Sequence, residues 1–600
     1  MKFKIKQKAF LEYLKMIELS FRSIFILISL SLLTTVLEIF GIGMFYPIFQ
    51  YINADQNISI IINDSKLWEM VTDFLMFFNL DVSLQLLLSI VFILLLFRQI
   101  FSYIRMIYTL MLVQFLEKKL RDKMFEKYLS SRTEYHDRLS IGGFTNVVSV
   151  EARSAVIGIL KPIDLIVHFI ILTVFLYVLF LISWKMTIAS ILIFLISSSI
   201  PKRWIKKSKK AGRSIVDANI NLTSFLVNRL KSARLVRLSG TENQEVLEFN
   251  KLTEIQRKAV IFGGVLKSRV EVVIEPVVIA LSLVFLYMSI SVFDMEIALI
   301  GLYMIVSMRI LPVVKGILGH LEKLKSATGS IETVYNRINE MSSNRETNCG
   351  HAIFNDLGNG IKFKSVYYKY PDSSNNAIDN LTFDISTGST VAIVGHSGSG
   401  KSTLIDLIPC LRLPTSGNIY LGGNPANNYR LSSLRNSIAF VPQKPQIFNG
   451  TIKEHICLGS NNLTDKEIHK ASLMSGAYEF IKDLPDKYDT FVGDETTRLS
   501  GGQSQRLDLA RVLANKARIL IFDEPTSGLD IKTEENFINT LREVRDENII
   551  IIVVTHNIKL ASGLDQIIVL NKGRVESTGS HKYVLQNSTW YKKSWELNIR

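Results

Sequence analysis

Apolar runs long enough to cross a bilayer recur through the first half of this 600-residue chain and stop near residue 318. A spanning helix needs about 20 predominantly apolar residues. Runs of that length lie near residues 21–51, 84–115, 155–183, 186–205, 270–293 and 296–318. In lipid each backbone N–H and C=O must be satisfied within its own segment, so these runs predict membrane helices. Length alone would allow about four soluble domains. Composition argues otherwise, because hydrophobic residues make up 48% and charged residues only 20% although parts of the chain are plainly polar. A membrane segment joined to a soluble one resolves that contrast.

Charge sets the orientation. Between the first two runs lie Asp55, Asp64, Glu69, Asp73 and Asp81 against Lys66, whereas Lys202, Arg203, Lys206, Lys207, Lys209, Lys210 and Arg213 follow the fourth. The positive-inside rule puts the first segment outside and the second inside, with both chain ends cytosolic. The basic start (Lys2, Lys4, Lys6, Lys8) agrees, and the first run is too long for a cleaved signal peptide. Topology accounts for much of the net charge of +15 without nucleic acid as a partner. Residues 206–267 carry helical patterning, and two helices of about 30 residues would reach about 45 Å. Residues 116–155 look similar, with a break at Ser140–Gly143. The membrane helices are therefore expected to extend into the cytosol and turn back near 135–142 and 219–231. The alternative is a loose basic loop on lipid headgroups.

Residues 321–341 continue as a polar helix, and the Asn-, Ser- and Gly-rich stretch 342–360 reads as a linker. From 361 onward short β-branched runs, Gly-rich turns and helical patterns alternate. The expected fold class is an α-helical membrane domain of six transmembrane helices extended into the cytosol (1–341), followed by an α/β P-loop domain (361–600). Cys349, Cys410 and Cys457 fit neither a zinc site nor a disulfide framework, consistent with a reduced, cytosolic second half.

The strongest motif is Gly395-His396-Ser397-Gly398-Ser399-Gly400-Lys401-Ser402-Thr403, between an apolar run at 390–394 and a helical run at 404–411. Strand, glycine-rich loop and helix are the context of a phosphate-binding P-loop. There Lys401 is expected to reach the β- and γ-phosphates and Ser402 to ligate Mg²⁺. Downstream, the apolar run 518–522 ends in Asp523 and Glu524. Asp523 suits the Mg²⁺ shell and Glu524 suits polarising the attacking water in phosphoryl transfer. The bland alternative is an acidic helix cap before Pro525.

Leu499-Ser500-Gly501-Gly502-Gln503 matches the signature sequence of the ATP-binding cassette (ABC) transporters, and the chain resembles that family. Gln443 matches the Q-loop glutamine and His556 the switch histidine. Ser527-Gly528-Leu529-Asp530 matches the D-loop, and Tyr370 before Pro371 matches the aromatic that stacks on adenine. The resemblance covers roughly residues 360–580 and implies catalytic roles for Glu524 and His556. It also implies a Mg²⁺ shell of Ser402, Gln443 and Asp523, and nucleotide contacts through the P-loop, the signature, Gln443 and Asp530. The departures are Gly528 in the D-loop, Asn557 after the switch histidine, and a loosely matching stretch 492–498. A Ser–Gly–Gly turn opening a helix presents amides to an anion but cannot serve its own P-loop. The family pairs two cassettes head to tail around two ATP molecules, and a single cassette therefore implies a homodimer.

Six spans before one cassette resemble the half-transporter architecture of ABC exporters. Charged groups within or at the ends of the spans are Glu38, Arg98, Arg105, Glu271, Glu275 and Arg309. Such groups are costly in lipid and default to function, or else to pairing with one another or to a place at cytosolic depth. Residues 37–47 and 308–312, with the amphipathic segment 57–78, resemble bacterial flippases of lipid-linked oligosaccharides. On that resemblance Arg98 and Arg309 are candidate contacts for a phosphate-bearing headgroup. A drug or peptide exporter of the same architecture, or an ABC-derived channel or regulator, remains open. A peptide exporter with its own cysteine peptidase is disfavoured because no cysteine precedes Cys349.

Overall fold

The computed structural model describes the chain except residues 1–11, 54–81, 183, 186, 189–190, 192–198, 292–296, 348–349, 461, 494–498, 527–530 and 600. Two compact units emerge: Met1–Ser131 with Arg138–Arg345, and Arg132–Asp137 with Glu346–Arg600.

The first unit is built from long helices. Helix α1 (Phe21–Gly43) begins at Ser20, whose hydroxyl accepts from the amide of Arg22, and α2 (Phe45–Asn53) follows it. Helix α3 (Leu84–Leu129) begins at Ser83, which caps the amide of Leu86 in the same way. These hydroxyls satisfy amides that have no partner inside the helix. At 46 residues α3 extends about 69 Å. It is apolar at first and charged from Glu117 onward, as a helix passing from lipid into water must be. Short helix α4 (Thr133–Arg138), all but its last residue grouped with the second unit, then α5 (Ile141–Asn146) and a π turn (Val147–Glu151) lead into α6 (Ala152–Ile182). Helices α7 (Lys202–Lys231), α8 (Ala233–Leu238), α9 (Glu242–Ser291), α10 (Ile297–Ser326) and α11 (Thr328–Ser343) complete the unit.

Within this unit α1 packs along α3, α6 along α10, and α7 along α9. Ile42, Phe175, Leu179 and Ile310 form one buried contact among α1, α6 and α10. Gly212 on α7 meets the end of α10 so closely that a Cβ there would stand 1.9 Å from the carbonyl oxygen of Ser326. Only glycine allows that approach. Among the described residues three helical stretches are long and apolar enough to cross a membrane: Phe21–Ile52, Leu84–Leu129 and Ile141–Phe180. The other three expected spans fall wholly or partly on residues outside the description, as does the segment 57–78.

Two sequence expectations shift. The second cytosolic turn lies later than 219–231, because α7 continues through Lys231 and the chain reverses over α8 and Gly240, whose φ is +62°. Within the expected linker 342–360, the first residues end α11 and residues 350–360 form an edge of the second unit. There the amide of Ala352 donates to the carbonyl of Asn428, and Phe354 and Leu357 are buried in the core.

The second unit contains an antiparallel sheet, a mainly parallel one and a short antiparallel pair, β7 (Gly450–Thr451) and β8 (Phe491–Val492). The first orders β2 (Ile378–Ile385), β1 (Ile361–Tyr368), β4 (Ser416–Leu421) and β5 (Asn424–Pro425). The second takes β3 (Thr390–Gly395), β6 (Ile438–Val441), β9 (Ile519–Asp523), β10 (Ile550–Val554), β11 (Gln566–Asn571) and β12 (Arg574–Gly579), in the order β12–β11–β3–β10–β9–β6. Only the β11–β12 pair is antiparallel. Strands β3 and β10 are buried throughout, which is why they read as continuous apolar runs rather than alternating ones. Between β6 and β9 an inserted helical layer, including α12 (Ile452–Ile456) and α13 (Gly501–Ala514), packs around Ile456, Ile481 and Leu507.

Candidate nucleotide site and intramembrane charges

Strand β3 delivers the phosphate loop. Gly398 and Gly400 have φ of +75° and +105°, a region that side chains other than glycine rarely adopt. A helix beginning at Lys401 follows, and its lysine folds back over the loop. Lys401 Nζ donates to the carbonyls of Gly395 and His396, both at 2.9 Å. Burial lowers the pKa of this ammonium, while Glu524 and Asp523 oppose that shift. The carboxyl of Asp523, at the end of β9, is pushed up to about 6 by burial and by Glu524 and Asp406, against the pull of Lys401.

Glu524 follows in a left-handed conformation with φ of 50°, a costly choice for a residue with a Cβ. Its amide donates to the carbonyl of Val554 on β10. Its carboxylate is held on both sides. Gln443 Nε2 donates to Oε2 at 2.6 Å, and His556 Nε2 lies 3.0 Å from Oε1. Three residues 113 positions apart at the extremes, Gln443 to His556, thus meet at one carboxylate beside the P-loop strand. Tyr370 reaches the same region, its hydroxyl 3.0 Å from Thr403 Oγ1.

The signature segment opens α13 with reciprocal capping. The amide of Gln503 donates to Ser500 Oγ at 3.2 Å, and the amide of Ser500 donates to Gln503 Oε1 at 2.8 Å. A Cβ added at Gly501 or Gly502 would meet nothing within 4 Å, so this turn is open to whatever approaches it. Leu499 packs instead on the helical layer. Among the described residues no hydrogen bond joins Leu499–Gln503 to Gly395–Thr403. Asp530 and the rest of the expected D-loop lie outside the described residues, as does most of the stretch 492–498.

Sequence reasoning missed a buried polar group beneath this turn. Asp508 on α13 is 1% exposed. It lies 3.3 Å from His455 Nε2 and 3.0 Å from Arg511, and it accepts from the amide of Gln446 just past Gln443. Gln505 also reaches out from α13, donating to the carbonyl of Pro525 at 2.5 Å. The signature helix is therefore fastened both to the segment after Gln443 and to the segment after Glu524. No local motif marks Asp508 or Gln505; their spacing on the inward face of α13 was the available signal.

In the helical unit the intramembrane charges are paired. Glu38 on α1 sits between two arginines: Arg98 on α3, with Nη2 3.2 Å from Oε2, and Arg309 on α10, with Nη1 3.4 Å from Oε1. Arg105 donates to Ser31 Oγ at 3.1 Å. Glu275 pairs with Lys315 at 2.7 Å, and Glu271 with Lys267 at 4.0 Å. Of the six charges, Glu38, Arg98 and Arg309 pair with one another, Glu271 and Glu275 pair with lysines instead, and Arg105 is held by a serine hydroxyl; the Glu38 cluster keeps an excess positive charge.

Comparison with known proteins agrees with this architecture. Residues 24–313 match the ABC transporter transmembrane region and residues 378–527 the ABC transporter ATP-binding domain. The chain is 29% identical to the heterocyst differentiation ATP-binding protein HepA of Nostoc sp. over 489 residues, 82% of this chain and 80% of that one. It is 28% identical to an ATP-dependent lipid A-core flippase of Pseudoalteromonas translucida over 485 residues, 79% and 82% of the two chains. A bacterial Atm1-family ABC exporter solved with ATP bound superposes with a TM-score of 0.76 at 21% identity, covering 96% of this chain and 97% of the other. A helical transmembrane domain followed by an ATP-binding domain makes this chain an ATP-hydrolysing membrane transporter of the ABC family, with the fold of an ABC exporter.

Proposed function

We propose that the protein flips a phosphate-bearing amphipathic lipid, a lipid-linked oligosaccharide or similar glycolipid, across the cell membrane as a homodimer. The observation that carries this reading is the Arg98–Glu38–Arg309 cluster, in which one carboxylate faces two guanidiniums. An uncompensated guanidinium among apolar helices is expensive. A phosphate is the partner that such planar donors bind best, often in a bidentate manner. The names of the flippase relatives point to the same class of cargo.

The geometry of the P-loop and of Glu524 supports a reading of the nucleotide chemistry. Glu524, oriented by Gln443 and His556, polarises the water that attacks the γ-phosphate. Lys401 exchanges its two loop carbonyls for phosphate oxygens when ATP enters, and Tyr370 offers its ring to the adenine. Oxygen donors on Ser402, Gln443 and Asp523 suit a hard cation such as Mg²⁺, which would neutralise charge on the phosphates. The open Ser500–Gly502 turn, and Asp530 after it, complete the ATP site of a second copy, and that copy's turn completes this one. Both termini and the cassette lie in the cytosol on the charge pattern of the loops.

The test is ATPase stimulation by candidate lipids in reconstituted vesicles, with wild type beside Arg98→Gln/Arg309→Gln. Stimulation by lipid-linked oligosaccharide, lost in the double variant while basal hydrolysis persists, supports the reading. Equal stimulation by uncharged amphipathic drugs, indifferent to the two arginines, would move the protein to the drug exporters.

A further inference from the structure

Arg412 lies outside every motif named so far, yet its guanidinium is held by two carboxylates and faces two aromatic rings. It follows the P-loop helix and is 6% exposed. Its Nε donates to Asp406 Oδ2 at 2.9 Å and its Nη2 to Asp137 Oδ2 at 2.8 Å. Its guanidinium carbon sits 4.9 Å from the centre of the Tyr370 ring and 6.0 Å from that of Tyr368. The two tyrosines meet edge to face at 5.1 Å, and the Tyr368 hydroxyl donates to Glu134 Oε1 at 3.0 Å. Tyr370 is in turn tied to Thr403 on the P-loop helix.

The acids on one side of this guanidinium have a special origin in the chain. Glu134 and Asp137 belong to Arg132–Asp137, the six residues of the first cytosolic turn that group with the cassette although the chain on both sides belongs to the helical unit. Asp137 is about half exposed, so its carboxylate can leave Arg412 without being stranded in an apolar core. Asp406 is the less exposed of the two, and it holds the guanidinium from the other side. A planar cation over one face of an aromatic ring fixes that ring and leaves its other face for a second planar partner.

We propose that Arg412 is the positioning residue for the base-stacking ring of Tyr370, and that Asp137 sets Arg412, so that purine affinity answers to the state of the first cytosolic turn. The proposal rests on the assignment of Tyr370 as the adenine platform. Coupling of this kind is reciprocal: if releasing Asp137 weakens the hold on the base, base binding strengthens the hold on Asp137.

The distinguishing property is that the effect passes through the base, not the phosphates. The full-length protein is assayed for ATP hydrolysis, with inorganic tripolyphosphate as a competing ligand that lacks a base. Asp137→Asn should raise the KM for ATP about fivefold with kcat within about twofold, and should leave the inhibition constant of tripolyphosphate unchanged. Arg412→Lys keeps a charge for Asp406 but loses the planar face, so it should raise the ATP KM similarly, and adding Asp137→Asn should then have no further effect. Unchanged ATP KM in Asp137→Asn, or a parallel loss of tripolyphosphate binding, would overturn the relay. Should Arg412→Lys fail to fold, Asp137→Asn alone decides. Tyr370→Ala separates the two layers: if it leaves the ATP KM unchanged, the platform assignment itself fails. If it raises the KM while the other variants do not, only the relay fails.

Discussion

His556 Nε2 stands 3.0 Å from Oε1 of Glu524, the residue that closes the acidic pair after β9. With Gln443 holding the other oxygen at 2.6 Å, the carboxylate has little freedom to turn. Its left-handed backbone is tied to β10 by the amide bond to Val554. Orientation of this kind suits the role proposed for Glu524, a base that would meet a water in line with the γ-phosphate. Glu524→Gln should therefore bind ATP and nearly cease to hydrolyse it, because the amide keeps the shape but not the charge. A loss of about a thousandfold corresponds to about 4 kcal/mol. Single-turnover hydrolysis and nucleotide retention measure it, and a normal rate would remove Glu524 from its role.

His556→Ala leaves the carboxylate charged but loosens one side of its clamp. Turnover should fall by about a hundredfold, less than for Glu524→Gln, with ATP binding retained. The comparison of the two variants in one ATPase assay checks that order.

Much of this site was legible in the sequence because each part is a local pattern whose chemistry depends on spacing. The P-loop from Gly395 to Thr403 and the Asp523–Glu524 pair sit on consecutive residues, so strand, turn and helix signals mark them. The helical patterning of residues 206–267 likewise anticipates α7 and the start of α9. What escaped was tertiary. Arg412, Asp137 and Asp406 are separated by up to 275 residues, and no periodicity links them. Asp508 reads as one more polar residue on an amphipathic helix until burial shows which way it points. The second cytosolic turn lies beyond the expected 219–231, because that stretch carries the apolar spacing of a helix without a strong breaker, and the chain reverses only over α8 and Gly240.

The raised pKa of Asp523 gives a pH dependence. A carboxyl titrating at about 6 is mostly protonated below that pH and ionised above it. As the proposed Mg²⁺ ligand, Asp523 must be ionised to bind, so on that reading acidification competes with Mg²⁺. Between pH 7.5 and 5.5 the ionised fraction falls about fourfold, and the Mg²⁺ concentration for half-maximal ATPase should rise by about that factor after allowance for MgATP formed in solution. An identical Mg²⁺ requirement at both pH values would contradict this.

Asp508→Asn removes the charge facing Arg511 and His455 in a buried site. Breaking a buried pair from one side costs about 3 kcal/mol or more because the remaining charge is left uncompensated. The full-length protein should unfold several degrees lower in a thermal melt, with the loss largely independent of salt. An unchanged melting temperature would mean that the cluster is not held together by charge.

Vesicle translocation tests the central claim most directly. Purified protein is reconstituted with a lipid-linked oligosaccharide, and its movement between leaflets is followed with and without ATP, in wild type and in Glu524→Gln. The account predicts net movement that requires ATP hydrolysis, is absent in Glu524→Gln, and is lost in Arg98→Gln/Arg309→Gln although ATP is still consumed. Movement that proceeds equally without ATP, or a wild type that hydrolyses ATP and moves no phosphate-bearing lipid, would contradict it.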